Sequence, residues 1–306
     1  MPKTVLITGA AGFAGCNLCR CLNSIDPQLN LVGVDIVPNY DLPCHSFHVA
    51  DISDHDKTRE LIARASPDCI IHLSGTFGTG SAQDIYRTNI LSSTAILEAM
   101  RELIPTAIFI SAGSAAEYGK VKNSDLPIME SAACNPVTPY GMSKHIATQI
   151  ALYYHRVHNL CTMVIRPFQL IGKGVTDRLA PGAFAKRLLE AKHAGKNEIQ
   201  VGNLNSCRDF LDVRDAVKAI WLLCQNPKGG EIFNLCSGIP VKIGDLLDLM
   251  QDVLDTHIKP VTEQSYLRGN ADVDIVYGSC EKLQNYCGWK SEITLKESVE
   301  SMFRTL

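Results

Sequence analysis

Tyr140 and Lys144 stand four residues apart, directly after Pro139. On a helix, residues at this spacing lie on one face, and Pro139 is a favourable first residue for such a helix. A lysine ammonium beside a phenol favours the phenolate and lowers a pKa that is otherwise about 10. The pair therefore predicts a tyrosine that transfers a proton to or from a carbinol oxygen near neutral pH. Tyrosine and lysine at this spacing are also common on helix surfaces, where they have no chemical role.

A glycine-rich segment near the N-terminus could hold a phosphate group. Gly9, Gly12 and Gly15 follow an apolar run and precede a helix-like segment, which is the context in which this spacing has meaning. Gly9 permits a tight turn, Gly12 leaves room for a pyrophosphate, and Gly15 lets the helix approach the strand. Phe13 and Ala14 lie at the helix start, where free N–H groups and the helix dipole favour anions. The segment predicts a dinucleotide-binding loop.

Two aspartates follow the next apolar runs. Asp35 lies about twenty residues beyond the glycines, where a carboxylate can accept hydrogen bonds from an adenosine ribose and would repel a phosphate on it. The predicted cofactor is therefore NAD, with NADP as the alternative, although Asp35 could instead cap a loop. Asp51 and Ile52 come after the third strand, at a suitable place to meet the adenine ring; the alternative for Asp51 is an ordinary loop aspartate.

Predicted strands and helices alternate along the first half of the chain and would position these residues. The predicted elements are strands at 3–8, 31–35, 69–73, 107–111 and 162–166 and helices that include 81–103 and 140–158. Continuous runs of Val, Ile, Leu and Phe are typical of parallel strands that are buried on both faces. The alternation predicts an α/β fold, a doubly wound parallel Rossmann sheet covered by helices.

The pattern loosens after residue 167, where glycines and a proline break the chain. Residues 1–167 are therefore predicted to form the dinucleotide-binding domain. Residues 168–306 are predicted to form mainly a smaller C-terminal substrate-binding lobe, with a strand and a helix near 208–238 returning to the first domain.

Composition and charge restrict the protein class. The 306-residue chain is 46% hydrophobic and 20% charged, which suffices for a packed core and excludes disordered and fibrous classes. The net charge is -3 and the basic residues are scattered, so no nucleic-acid partner is expected. No apolar stretch approaches the ~20 residues of a membrane span, and a strand begins within a few residues of Met1. A cytoplasmic protein with no membrane partner is expected.

The twelve cysteines are spread along the chain, and Cys16, Cys19 and Cys21 come nearest to a cluster. On a helix Cys16 and Cys19 fall one turn apart, and no further Cys or His completes a tetrahedral metal site. Buried free thiols and no bound metal are therefore expected.

The chain resembles the extended short-chain dehydrogenases, which include sugar-nucleotide epimerases, dehydratases and reductases. Besides the residues above, the resemblance rests on four segments at 71–75, 88–89, 114–119 and 166–168. It implies that Ser114 hydrogen-bonds the substrate oxygen, that Tyr140 is the catalytic acid or base, and that Lys144 holds the nicotinamide ribose while tuning Tyr140. It also implies further cofactor contacts at Leu73, Ser74, Gly75 and Asn89.

The residues after Ser114 separate the reactions known in this family. In 4,6-dehydratases an acidic pair fills the next two positions, and the 3,5-epimerase/reductases have a cysteine at the second of them. Here these positions are Ala115 and Ala116. Because methyl groups cannot move protons, the resemblance disfavours dehydration and 3,5-epimerisation. A 4-ketoreductase or a 4-epimerase remains.

Segments at 201–203, 208–215 and 233–238 resemble the enzymes that make and reduce GDP-4-keto-6-deoxymannose. In that group Arg208 binds the sugar-linked diphosphate, as bidentate guanidinium geometry favours. The alternative for Arg208 is a salt bridge with a nearby aspartate, Asp212 or Asp215. Further implied substrate contacts are Asp272, Arg268, which lies one residue further from Asp272 than the group's pattern, and Gln169, where the family usually has Asn.

These residues together predict an NAD(P)H-dependent reductase of the C4 keto group of a nucleotide-linked 4-keto-6-deoxy sugar. One alternative is an NAD-dependent nucleotide-sugar 4-epimerase that uses the same residues. Another is a non-catalytic sensor or scaffold, but such proteins usually lose the tyrosine or the lysine, and both are present here. The resemblance also implies a homodimer formed by the helices that carry Asn89 and Tyr140, unless the second lobe covers that helix face.

Overall fold

The computed structural model describes residues 3–77, 81–266 and 273–304. Its strands are β1 (Thr4–Thr8), β2 (Asn30–Asp35), β3 (Ser46–Val49), β4 (Cys69–His72), β5 (Ile108–Ala112), β6 (Cys161–Pro167), β7 (Gln169–Ile171), β8 (Glu198–Val201), β9 (Cys207–Asp212), β10 (Glu231–Leu235), β11 (Pro240–Lys242), β12 (Lys259–Thr262) and β13 (Ile275–Val276). Its α-helices are α1 (Phe13–Ile25), α2 (His55–Ala65), α3 (Ala82–Tyr86), α4 (Ser92–Leu103), α5 (Pro139–His158), α6 (Ala180–His193), α7 (Val213–Gln225), α8 (Ile243–Leu254), α9 (Glu281–Cys287) and α10 (Leu295–Phe303).

Seven parallel strands form the main sheet, in the order β10-β6-β5-β4-β1-β2-β3. The predicted doubly wound Rossmann sheet is therefore confirmed. The five predicted strands are all present, with ends displaced by one residue at most. The strand order reverses between β1 and β4, and in such sheets ligands bind in the crevice beyond the carboxyl ends of the strands at this point.

Helices cover both faces of the main sheet because successive strand residues point to opposite faces. On β1, Val5 and Ile7 pack into a core with α1 and α7, whereas Leu6 packs into a second core with α2, α4 and α5. All three side chains are buried. The crevice at the carboxyl edge is thus built on a sheet that is buried on both sides.

The smaller lobe has its own apolar core, formed by α6, α8, α10 and strands β8 and β9. Strand β9 pairs with β7, β11 and β13, and β8 pairs with β12. Two elements from the second half of the chain belong elsewhere, since β10 joins the main sheet and α7 packs on α1. The domain boundary at residue 167 stays a prediction.

The helix predicted at 81–103 is interrupted. Between α3 and α4 the chain forms a π-helical turn, Arg87–Leu91, in which Asn89 is buried. A π turn inserts one residue into the helical repeat and is frequent at functional sites. The amphipathic pattern continues on both sides of the turn, so periodicity alone could not reveal it.

All twelve cysteines are free thiols; five of them are buried and seven are partly exposed.

Within the described ranges, no helix is both long enough and apolar enough to cross a membrane.

Candidate active site

The glycine loop lies at the carboxyl end of β1 and leads into α1. Gly9 has φ +70, and a Cβ there would lie 2.8 Å from the backbone nitrogen of Ser74. A Cβ at Gly15 would lie 2.1 Å from the Gly9 carbonyl oxygen. Both positions therefore require glycine, one for the turn and its contact with the chain after β4, the other for the approach of α1. At Gly12 the nearest atom, also the Gly9 oxygen, would be 3.2 Å away, so Gly12 is less crowded.

Asp35, at the end of β2, contacts this loop directly. Its Oδ2 accepts a hydrogen bond from the backbone N–H of Ala11 at 3.0 Å, and its Oδ1 accepts one from Val37 at 3.1 Å. Asp35 therefore caps its own loop, as the alternative prediction states, and it also lies beside the glycine loop. Asp51 is exposed and accepts hydrogen bonds from Ser53 within its own loop, whereas its neighbour Ile52 is buried.

The segment after β4 is tied to the π turn and to α5 by Asn89. The Asn89 side chain accepts from the Thr76 N–H at 2.8 Å and donates to the Ser143 hydroxyl at 2.8 Å. A Cβ at Gly75 would lie 3.0 Å from Lys144 Nζ. This network links Gly75 and Asn89, two of the predicted cofactor residues, to the first turns of α5. Thr76 and Ser143 belong to it and were not predicted.

Ser114 and Tyr140 are brought together although they are far apart in the chain. Ser114 caps a 3-10 turn, Ala115–Glu117, and its Oγ accepts from the Ala116 N–H at 3.1 Å. A Cβ at Gly141 would lie only 2.4 Å from the Ala116 oxygen, so glycine lets α5 approach this turn. The Ser114 side chain lies near enough to Tyr140 to lower the pKa of the phenol. The two hydroxyls can therefore meet one substrate oxygen.

Phe77 packs against Tyr140. The two rings meet edge to face, with centroids 6.0 Å apart at an angle of 63°. Such aromatic pairs fix ring orientation beyond what burial alone provides. Phe77 was not predicted, because its proximity to Tyr140 arises only when the loop after β4 and helix α5 fold together.

Lys144 is anchored at the carboxyl end of β5. Its Nζ donates to the carbonyl oxygen of Ala112, at the end of β5, at 2.9 Å. Burial lowers the pKa of Lys144 to about 8. Burial also raises the pKa of Tyr140; the nearby Ser114 side chain opposes this shift, and the charge of Glu117 adds to it. That Lys144 lowers the Tyr140 pKa stays a prediction.

Glu117, Cys134 and His145 form a cluster whose potential ligand atoms lie within 4.8 Å of one another. The guanidinium of Arg166 donates to the Glu117 carboxylate at 3.0 and 2.9 Å. A metal cation there would be repelled by Arg166 at close range. We therefore assign the cluster to ion pairing, and the prediction of no bound metal stays a prediction.

Two of the implied substrate residues, Gln169 and Arg208, lie on strands of the smaller lobe. Gln169 begins β7, which pairs with β9, and Arg208 lies on β9. Arg208 Nη1 donates to the Cys207 carbonyl oxygen at 2.8 Å. The two aspartates considered as its partners bind other groups, Asp212 the guanidinium of Arg214 and Asp215 the backbone of residues 292–293. Arg268 and Asp272 lie outside the described residues.

The start of α1 is suited to bind an anion such as a pyrophosphate. A cavity of about 600 Å³ begins at Ala11, Gly12 and Phe13, continues between α1 and α6, and is lined neither by Asp35 nor by the residues after β4. Gly12 caps α1 without a side-chain hydrogen bond, so the helix N-terminus keeps N–H groups for an anion. The candidate holding groups are the loop backbone, Asp35, and the residues after β4.

Comparison with known proteins gives similarities along nearly the whole chain. The sequence profile of the NAD dependent epimerase/dehydratase family matches residues 5–236. The GDP-6-deoxy-D-mannose reductase of Pseudomonas aeruginosa is 30% identical, with 99% of this chain and 96% of the relative covered. The GDP-6-deoxy-D-talose 4-dehydrogenase of Aggregatibacter actinomycetemcomitans is 25% identical over 98% and 97% of the two chains. The solved structure of RMD from Pseudomonas aeruginosa complexed with NADPH has a TM-score of 0.84 and 27% identity, covering 98% of this chain and 97% of that chain.

Proposed function

Because the chain belongs to the NAD dependent epimerase/dehydratase family, as its motifs predicted, we propose that it reduces the C4 keto group of a nucleotide-linked 4-keto-6-deoxy sugar. When bound, a nicotinamide dinucleotide would supply the hydride. The names of two relatives, a GDP-6-deoxy-D-mannose reductase and a GDP-6-deoxy-D-talose 4-dehydrogenase, support a GDP-linked deoxy sugar as substrate.

This proposal rests on the residues of the turn at 114–117. Ala115 and Ala116 cannot transfer protons, and the one carboxylate of the turn, Glu117, is fully buried and paired with Arg166. Dehydration needs an additional acid and base near C5 and C6 of the sugar, and this turn offers neither. A reaction with one proton transfer and one hydride transfer, at a single carbon, fits the residues present.

Tyr140 is suited to donate that proton. Since burial raises its pKa above the ordinary tyrosine value, the phenol stays protonated at neutral pH, and the protonated form is the one that can neutralise an emerging alkoxide. Ser114 donates a hydrogen bond to the same oxygen. Lys144 fixes the first turns of α5 to β5 through the Ala112 carbonyl and presents its other N–H groups beside Gly75.

Binding of the two ligands is divided between the lobes in this proposal. The glycine loop, Asp35 and the residues after β4 hold the dinucleotide, and Arg208 holds the sugar-linked diphosphate so that C4 lies near the hydride donor. The Asp35 carboxylate favours NADH, because it would repel the additional phosphate of NADPH. Gln169, Arg268 and Asp272 remain proposed substrate contacts.

Incubation of the protein with NADH and a panel of 4-keto-6-deoxy nucleotide sugars tests the proposal, with products identified by NMR. The expected result is stoichiometric oxidation of NADH and a deoxyhexose nucleotide reduced at C4. A 4-epimerase would use the same residues but would carry tightly bound NAD and turn over without consuming NADH. A non-catalytic sensor or scaffold would bind the dinucleotide and leave every sugar unchanged.

Replacement of Gly12 by alanine is expected to weaken NADH binding about tenfold to a hundredfold at nearly unchanged melting temperature. The backbone at Gly12, with φ -75 and ψ 171, is accessible to alanine, and its Cβ would need only a small shift of the Gly9 oxygen at 3.2 Å. A methyl group between the loop and a pyrophosphate costs about 1–3 kcal/mol, which corresponds to that loss of affinity. Fluorescence titration with NADH and a thermal melt measure the two quantities.

The matched control is Gly244→Ala, near the start of α8. A Cβ there would make ordinary contacts, 3.4 Å or more, with Leu204. We expect unchanged NADH affinity and equal or slightly greater stability, because alanine restricts the unfolded chain. Equal NADH affinities for the Gly12 variant and the control would remove Gly12 from the proposed pyrophosphate site.

A homodimer is part of this proposal. Leu91, just before α4, and Val157, near the end of α5, are each 49% exposed, so the smaller lobe does not cover them. A second copy that packs against α4 and α5 would remove both apolar side chains from water. Sedimentation of Val157→Glu should then give half the wild-type mass; equal masses would contradict this interface.

A cytoplasmic location also belongs to the proposal. All twelve cysteines are free thiols, the state that a reducing compartment maintains.

A further inference from the structure

Glu117 is a fully buried carboxylate beside the proposed catalytic residues, and no proton transfer is assigned to it. Four donors surround it. Its Oε1 accepts from the Ser114 N–H at 2.9 Å and from the Thr148 hydroxyl at 3.1 Å. Its Oε2 accepts from Arg166 Nε at 3.0 Å and from Arg166 Nη2 at 2.9 Å. The carboxylate is therefore well supplied with hydrogen bonds, two of them from a charged partner.

These donors come from three different elements. Ser114 lies in the turn after β5, Thr148 lies on α5 two turns beyond Tyr140, and Arg166 lies on β6. The Glu117 side chain thus joins the turn that carries Ser114 to the helix that carries Tyr140. It joins both to the neighbouring strand of the main sheet.

The surroundings leave little freedom for another arrangement. A Cβ at Gly113 would lie 2.3 Å from Glu117 Oε1, so only glycine leaves room for the carboxylate next to the turn. Arg166 is itself anchored: its Nη1 donates to the Tyr118 hydroxyl at 3.1 Å, and that hydroxyl donates to Asn234 on β10 at 2.6 Å. The carboxylate is held from both sides by a connected polar network, the kind of support that keeps a site in one geometry.

We propose that Glu117 is a positioning residue, whose carboxylate holds the Ser114 turn against α5 and β6 so that the Ser114 hydroxyl meets the oxygen that Tyr140 protonates. The inference rests on the proposed function for the identity of that oxygen. The physical reason is that a displacement of about 1 Å at a reacting group can cost about a hundredfold in rate. Glu117 acts through Ser114 and touches no substrate.

The variant Glu117→Gln keeps the shape of the side chain and removes its charge. We expect kcat to fall at least about tenfold, whereas KM for the nucleotide sugar and the Kd of NADH stay within about twofold, because the effect is on alignment in the transition state. In a Ser114→Ala background the same substitution is expected to change kcat less than about threefold, since the hydroxyl that it positions is gone. Equal losses in both backgrounds would overturn the proposal.

Asp215→Asn is the matched control for the loss of a buried carboxylate. Asp215 is also fully buried and accepts hydrogen bonds from two backbone N–H groups, those of Glu292 and Ile293, at 2.8 Å each. This variant should lose stability but keep the wild-type kcat at temperatures where it is folded. A fall in kcat as large as that of Glu117→Gln would show that buried charge, not position, is responsible.

The single variant leaves the buried guanidinium of Arg166 without its anion and could fail to fold for that reason. The double variant Glu117→Gln/Arg166→Met removes both charges. It is expected to melt closer to wild type than Glu117→Gln and still to have a low kcat. A double variant whose kcat returned to within about threefold of wild type would contradict a positioning role.

Hydrogen exchange gives a readout that does not depend on activity. Because the amide nitrogen of glutamine cannot accept from Arg166, the side chain that binds the Ser114 N–H loses its anchor in Glu117→Gln. The peptide covering residues 113–119 should therefore exchange faster than in wild type, with little change elsewhere. Asp215→Asn should not change this peptide. If the wild-type protein reduces no nucleotide sugar, the proposed function fails, yet unchanged exchange at 113–119 would separately refute the inference.

Discussion

Replacing Tyr140 with phenylalanine is expected to lower kcat by about 10²- to 10⁴-fold, the usual contribution of a positioned general acid. The phenol is the one proposed proton donor to the sugar oxygen, and phenylalanine retains the ring that packs against Phe77 at 6.0 Å. The Kd of NADH should therefore change less than about twofold. Steady-state reduction of the nucleotide sugar and fluorescence titration with NADH measure the two effects.

Tyr153→Phe is the matched control, because Tyr153 lies on the same helix and is 44% exposed. It should keep the wild-type kcat. A Tyr140→Phe enzyme within about threefold of wild type would exclude Tyr140 as the proton donor. Loss of NADH binding in this variant would instead indicate a structural role for the hydroxyl.

The strands and the glycine loop could be predicted because their signals are local. Parallel strands buried on both faces require continuous apolar runs, and Val5 to Ile7 satisfies this requirement within one short segment. The glycines are likewise required by contacts between near neighbours, as the 2.1 Å approach of a Gly15 Cβ to the Gly9 oxygen shows. Local sequence therefore predicted the sheet and the turn of the glycine loop.

The pKa of Tyr140 and the contacts of Lys144 depend on residues from distant parts of the chain. Spacing correctly placed Tyr140 and Lys144 near each other on α5 but could not show that Lys144 Nζ would donate to Ala112, thirty-two residues earlier. Nor could spacing show that burial would dominate the pKa of Tyr140. The tuning of the tyrosine therefore had to be read from the folded protein.

Glu117 illustrates a signal that was present but incomplete. A serine followed three residues later by a glutamate is a capping box, and the structure forms one at Ser114 and Glu117. The sequence pattern could have identified this turn. It could not have identified Arg166, forty-nine residues further along, as the partner that makes the carboxylate a link between elements.

The variant Asp35→Asn is expected to shift the ratio of kcat/KM for NADPH to that for NADH upward by about a hundredfold. Two unit charges about 4 Å apart interact by ~4 kcal/mol at the effective dielectric near a protein surface, and solvent around half-buried Asp35 reduces this repulsion. Asparagine can still accept from the Ala11 N–H that Asp35 binds at 3.0 Å. The change therefore removes the charge and keeps the loop contact.

Asp41→Asn separates the local effect from net charge, since Asp41 is an exposed carboxylate in the loop that follows Asp35. It removes the same unit of charge and should leave the cofactor ratio within about twofold of wild type. An equal shift in both variants would mean that overall charge, not Asp35, sets the preference. A wild-type enzyme that already uses NADPH as well as NADH would show that the carboxylate does not face the ribose, because a phosphate could not approach it without a large loss of affinity.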